Sequence, residues 1–182
     1  MKKGRGKNKG NAFERKVSLL LAEWWKVPKG TFWRSKISGG SNEPGDITPR
    51  VLETDDKPLN WPFVIECKHY KEINIPQLLV ASKLKNGGRI LSWWKQVTKD
   101  QGNTSKIRLL IFRGNNTPVY VAFATSDFSV QVRRRVDKLK DILHFETYTT
   151  DHSFSEYVGF YICTWDNFSS VMTKDLFMKE EE

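Results

Sequence analysis

A chain of 182 residues with a formal net charge of +9, 38% hydrophobic and 13% aromatic residues is long enough for one domain with its own core and too aromatic for a disordered tail. Its two cysteines suggest no disulfide framework and a reducing, intracellular setting; a cytoplasmic protein is expected, in the host cytoplasm if it is virus-encoded. No signal-peptide pattern opens the sequence and no apolar run has the length of a membrane span, so no membrane role is expected.

Residues 1–10 are rich in Lys, Gly and Asn and read as a flexible basic arm, whose Lys7 and Lys9 can meet phosphates without sequence preference. A solubilising tail is the plain alternative. Asn11 is placed to cap a helix reaching Lys26, ended by Pro28 and Gly30, with Phe13, Val17, Leu20, Leu21 and Trp24 as its apolar stripe. Glu14 falls on or beside that stripe. A carboxylate there either leans on the positive end of the helix dipole or serves a site. Thr31 to Ile37 reads as a strand with Arg34 and Lys36 on one face, suited to a DNA backbone. Ser38 to Pro44 is a polar turn into Gly45-Asp46, and a second strand runs from Ile47 to Leu52. Glu53 to Asn60 is a solvated turn, and its Asp55 and Asp56 lack the strand placement that would fix a metal ligand.

Phe63-Val64-Ile65-Glu66-Cys67-Lys68 is a short buried strand ending in Glu-x-Lys. Glu66 and Lys68 share one face, about 7 Å apart along the strand, and Cys67 points the other way. An acid and an amine at the end of a core strand are costly unless something uses them. A divalent cation would take the carboxylate, and the ammonium would face water or phosphate oxygens. Beyond them, Pro76 can open a short helix to Lys85. A second helix from Arg89 to Gln101 buries Ile90, Trp93, Trp94 and Val97. Gln96, one turn from Trp93, is either an ordinary exposed helix residue or part of the site.

Lys106 to Phe112 and Pro118 to Phe123 form a strand hairpin around Arg113 to Asn116. Asp127 is placed to cap a helix carrying Phe128, Val132, Val136, Leu139 and Leu143, crowded by Arg133, Arg134, Arg135, Lys138 and Lys140. That face is either solvated or an added DNA surface. Phe145 to Thr149 and Tyr157 to Cys163 read as strands, and a last helix follows Thr164 through Leu176. His69, His144 and His152 lack zinc-like spacing, and no Gly-rich nucleotide loop occurs.

The bases and acids are unevenly spread. Residues 1–40 hold eleven Lys/Arg and two acids, residues 41–67 two bases and six acids, and residues 68–113 ten bases and two acids. An acidic segment between basic ones suits a metal site inside a phosphate-binding surface.

Asp46 followed by Glu66-x-Lys68 resembles the core of the PD-(D/E)XK nuclease superfamily. Gly10-Asn11-Ala12-Phe13-Glu14-Arg15, Arg34-Ser35, Ser38-Gly39-Gly40, Gly45-Asp46-Ile47 and Val64-Ile65-Glu66-Cys67-Lys68 stand in the order and spacing of the archaeal-type Holliday junction resolvases, over roughly residues 9–123. The resemblance implies an α/β fold with a restriction-endonuclease-like central mixed sheet flanked by helices. Its nuclease core would span 11–125, with a C-terminal α+β extension, 126–182, packed on the same domain. It implies Glu14, Asp46 and Glu66 as ligands of Mg²⁺, or Mn²⁺ as a substitute, with Lys68 and Gln96 completing the catalytic set. Lys7, Lys9, Arg15, Arg34, Lys36 and Ser38 would meet DNA. The substrate would be branched DNA, a four-way junction, cut by a homodimer to leave a 5′-phosphate and a 3′-hydroxyl. Trp93 and Trp94 offer more aromatic surface than one monomer stripe needs.

Two departures matter. Position 100 is Asp where a related exonuclease pattern carries Tyr, and residues past about 124 exceed the resolvase length. The extension favours a restriction- or repair-type nuclease with another DNA substrate. A non-catalytic nucleic-acid-binding module would keep the basic segments, but the intact Glu14, Asp46, Glu66 and Lys68 argue against it.

Overall fold

The computed structural model describes residues 5–35, 44–50, 59–75, 88–151 and 154–178. The apolar run ahead of Glu66 forms β3 (Phe63–His69), which pairs in parallel with β4 (Ile107–Arg113), Glu66 opposite Leu110 and Lys68 opposite Phe112. Parallel neighbours need a crossover, and α2 (Gly88–Gln101) lies in it. The hairpin turn then brings β5 (Tyr120–Phe123) back antiparallel to β4. β6 (Leu143–Asp151) and β7 (Phe154–Thr164) form a long antiparallel ribbon, and β7 pairs with β5. The sheet order is β3-β4-β5-β7-β6. β1 (Phe32–Arg34) and β2 (Ile47–Pro49) make a separate antiparallel pair. With α1 (Arg5–Trp25), α3 (Val130–Val136) and α4 (Trp165–Val171), this is a mixed α/β fold of the restriction-endonuclease-like kind, a five-stranded mixed sheet flanked by helices.

Strand alternation divides the core. Phe63, Ile65 and Cys67 share a cluster with Val17, Leu21 and Trp25 of α1. Val64 shares the other cluster with Ile90, Trp93, Trp94 and Val97 of α2. Glu66 and Lys68 follow Val64 in the alternation, so they lie on the side of the sheet that α2 covers.

The C-terminal part belongs to the same core. Trp165, Phe168 and Met172 cluster with Trp24 of α1, whose indole Nε1 donates to the Met172 carbonyl at 2.6 Å. Without β6, β7 and α4, one edge of the sheet and one end of this cluster would be bare.

Several elements differ from the sequence reading. α1 begins at Arg5, so Lys7 and Lys9 are helical and not part of an arm ending at residue 10. Asn11 is no cap, because its Oδ1 accepts from Arg34 Nη2 at 2.7 Å. Asp127 does not cap a helix either. Its carboxylate accepts from the Arg108 main-chain N–H, Nε and Nη2 at 3.1, 2.8 and 2.6 Å. A bidentate arginine outweighs one capping bond. Ser129 caps α3 instead, and α3 ends at Val136, leaving Leu143 to open β6. Trp93 and Trp94 are only 4% and 3% exposed. Their surface is spent against Tyr70, Phe112 and Phe160, so they are not a dimer face. The helix expected from Pro76 to Lys85, and Lys36, Ser38, Asp55, Asp56 and His152, lie outside the described residues. Among the described residues no helix is long and apolar enough to cross a membrane.

Candidate active site

Asp46 reaches β3 through its backbone. Its N–H donates to the Ile65 carbonyl at 2.7 Å, and its Oδ2 accepts from the Cys67 N–H at 2.9 Å. Two bonds to alternate residues of one strand fix the carboxylate beside Glu66. The approach needs Gly45. Its φ is +91°, and a Cβ there would lie 2.7 Å from the Ile65 carbonyl oxygen and 3.0 Å from its nitrogen. Both the conformation and the space exclude a side chain. Gly45→Ala is therefore expected to destabilise the protein by roughly 3 kcal/mol. Thermal unfolding monitored by circular dichroism should show a drop of roughly 10 °C; an unchanged midpoint would mean the segment can move off β3.

Glu66 is 1% exposed. Its Oε1 accepts from Lys68 Nζ in a close ion pair. Its Oε2 is buried with no hydrogen-bond partner among the described residues. Burial, then the Asp46 charge, pushes Glu66 up to about 8, against the pull of Lys68. Asp46 is raised as well, chiefly by burial, with the Cys67 N–H opposing and the charges of Glu14 and Asp100 adding. Lys68 Nζ also donates to Gln96 Oε1 at 2.8 Å. The ammonium is thus held between β3 and α2.

Glu14 turns elsewhere. Its Oε2 accepts from Arg34 Nε in a close ion pair, and Arg34 also holds Asn11. Glu14 acts on Asp46 by charge. Arg34 is a clasp between α1 and β1, with its side chain still 36% exposed. Lys7 and Arg15 are exposed on α1, and Lys9 Nζ donates to the Tyr70 carbonyl at 3.4 Å, at the end of β3.

Asp100, read from the sequence only as a departure from an exonuclease pattern, lies close enough to act on the centre. It follows Gln96 by one turn of α2, and its charge raises both Asp46 and Glu66. The signal was its four-residue spacing from Gln96, which sets two side chains on one helix face.

The donors suit a hard dication. Asp46 and Glu66 present carboxylate oxygens, one of them buried and unpartnered, and burial holds both acids towards the neutral form when no cation balances them. Among the described residues, no three His, Cys, Asp or Glu side chains come together to hold a metal ion. Asp46 and Glu66 could supply two ligands, with water and main-chain carbonyls filling the shell.

A family model described as "Phage putative PDDEXK endonuclease" matches residues 5–179. No curated protein and no solved structure matches the chain significantly.

Proposed function

Because the chain belongs to this phage family of PDDEXK endonucleases, we propose that it is a metal-dependent DNA endonuclease centred on Asp46, Glu66 and Lys68. The observation that carries this reading is the buried Oε2 of Glu66 beside Asp46, without a hydrogen-bond partner among the described residues, with the Lys68 ammonium fixed next to it. Mg²⁺ or Mn²⁺ held by Asp46 and Glu66 would polarise the scissile phosphate and lower the pKa of a bound water. Lys68 orients the attacking water or balances charge on the phosphorane-like transition state. Gln96 fixes the lysine's position. Glu14, neutralised in part by Arg34, keeps the centre acidic and can reach it through water. Lys7, Lys9 and Arg15 of α1 contact the backbone of the DNA, joined by Lys36 and Ser38 from the segment before Asp46. The products are a 5′-phosphate and a 3′-hydroxyl.

The finer reading is branched DNA. The ordered motifs from Gly10 to Lys68 favour a four-way junction, whose two symmetric cuts call for a homodimer. A second reading, a nuclease for another DNA substrate, is favoured by residues 126–182. They build two of the five sheet strands, and the family match continues through them to 179, past the end of the resolvase-like motifs. Purified protein with Mg²⁺, a labelled four-way junction and a linear duplex of equal length separates the two. Paired symmetric nicks in the junction alone support the first, and cutting of both substrates supports the second. Binding without cleavage in Mg²⁺ and Mn²⁺ would overturn the catalytic assignment. Sedimentation with junction DNA tests the dimer, and a monomeric mass would remove it.

A further inference from the structure

α2 has two flanks. On one, Gln96 holds Lys68 and the Asp100 charge acts on Asp46 and Glu66. On the other, Lys95 and Lys99, both exposed, face a cleft of about 750 Å³ that is also lined by Arg108, Ser126, His144 and Tyr161. The cleft arises from strand length. β5 stops at Phe123, opposite Tyr161, while β7 runs on beside β6 alone to Phe154. A notch is left where β5 would have continued.

A column of rings crosses the sheet beside it, on the face opposite α2. Phe128 stacks on Phe123 (5.3 Å between centroids, 18° between planes), Phe123 on Tyr161 (5.9 Å, 21°), and Tyr161 on His144 (4.3 Å, 8°). The column ends at His144, whose side chain is 39% exposed on the edge strand β6. One carboxylate, Glu146, lines the cleft, paired with His144 Nδ1 at 3.3 Å. Lys95 and Lys99 stand one turn apart, about 6 Å along the helix. Arg108 is held by Asp127 and by Thr98 Oγ1, so it contributes a fixed wall and the lysines the reachable charge.

We propose that this cleft binds an unpaired stretch of the nucleic-acid substrate that passes through the notch, with a base against His144 on one face of the sheet and phosphates at Lys95 and Lys99 on the other. An exposed ring with reachable lysines binds single strands because every base has a flat face, whereas a base inside a duplex is already covered on both sides. The size fits a nucleotide-sized guest. The proposal rests on the endonuclease reading for its meaning: a strand cut at Asp46 and Glu66 would cross α2 and leave its unpaired part in the notch. That is the geometry of a fork, flap or open branch.

The test needs no cleavage. Binding of a fluorescent single-stranded oligonucleotide and of a duplex of equal length is measured in chelator, by anisotropy across a salt series, with the full chain. Lys95→Ala/Lys99→Ala should weaken single-strand binding about tenfold or more and reduce the logarithmic salt slope by about 1.4. His144→Ala should weaken it about fivefold or more and abolish quenching of a 2-aminopurine base, while His144→Phe should keep both. Duplex affinity should change little in all three. Unchanged single-strand binding, or equal losses for single strand and duplex, would overturn the proposal. Cleavage by wild-type protein in Mg²⁺ is scored separately, so a chain that cuts no DNA yet shows the His144 and lysine effects would lose the endonuclease reading and keep the cleft.

Discussion

Lys68→Ala should lower the rate of DNA cleavage at saturating Mg²⁺ by about a thousandfold while leaving the protein folded. The lysine is short of alternatives. Its Nζ spans Glu66 on β3 and Gln96 on α2, so the position is built before substrate arrives, and a preorganised charge costs no reorganisation in the transition state. The substitution also strips Glu66 of its one hydrogen-bond partner among the described residues, leaving both carboxylate oxygens buried and unpaired there. Arginine cannot replace it well, because a planar fork does not fit a point-charge site. Gln96→Ala should cost less, about tenfold in kcat with KM nearly unchanged, because Gln96 positions the lysine without touching the phosphate. Single-turnover kinetics on a labelled substrate, with the circular dichroism melt as a folding control, reads both. If Lys68→Ala cuts at the wild-type rate, the site assignment fails whatever the family.

The part of this centre that could be read in the sequence is the part carried by one strand. Phe63 to Lys68 shows its buried face and its Glu-x-Lys pair through alternation alone, and Gly45-Asp46 shows a turn ahead of an acid. What could not be read is what joins distant segments. Arg34 showed no sign of its ties to Glu14 and Asn11, which are 20 and 23 residues away. Asp127 looked like a cap because capping is the local use of an acid before an apolar run, and its real partner, Arg108, lies on another strand. Trp93 and Trp94 looked surplus because helical periodicity does not reveal how wide a sheet the helix must cover. The long β6–β7 ribbon, which completes that sheet and makes the cleft, gave only two short strand signals. Asp100 was visible as a departure from a pattern, but its closeness to Asp46 and Glu66 depends on how α2 crosses β3.

The second large effect concerns Glu66 and pH. In the folded, cation-free protein Glu66 is raised from 4.5 to about 8. Between those values the folded state therefore holds a proton that the unfolded state has released. Stability falls wherever the folded state binds more protons, so the cation-free protein should weaken as pH rises from about 4.5 to about 8 and level off above. Asp46 is raised in the same direction, chiefly by burial, and adds to the slope. Glu66→Gln removes the main contribution. In chelator at about pH 9 the variant should be more stable than wild type by a few kcal/mol, with about 5 kcal/mol as the ceiling set by the size of the shift. At about pH 5 the two should differ little. Millimolar Mg²⁺ should act oppositely: it binds the ionised pair, so it should raise the wild-type midpoint increasingly with pH and leave Glu66→Gln almost unmoved. Melting curves from about pH 5 to about pH 9, with chelator and with Mg²⁺, give four series from two proteins. A wild-type midpoint that neither falls with pH in chelator nor rises with Mg²⁺ would show that Glu66 ionises without a cation, and the unpartnered oxygen would then have to be satisfied by solvent.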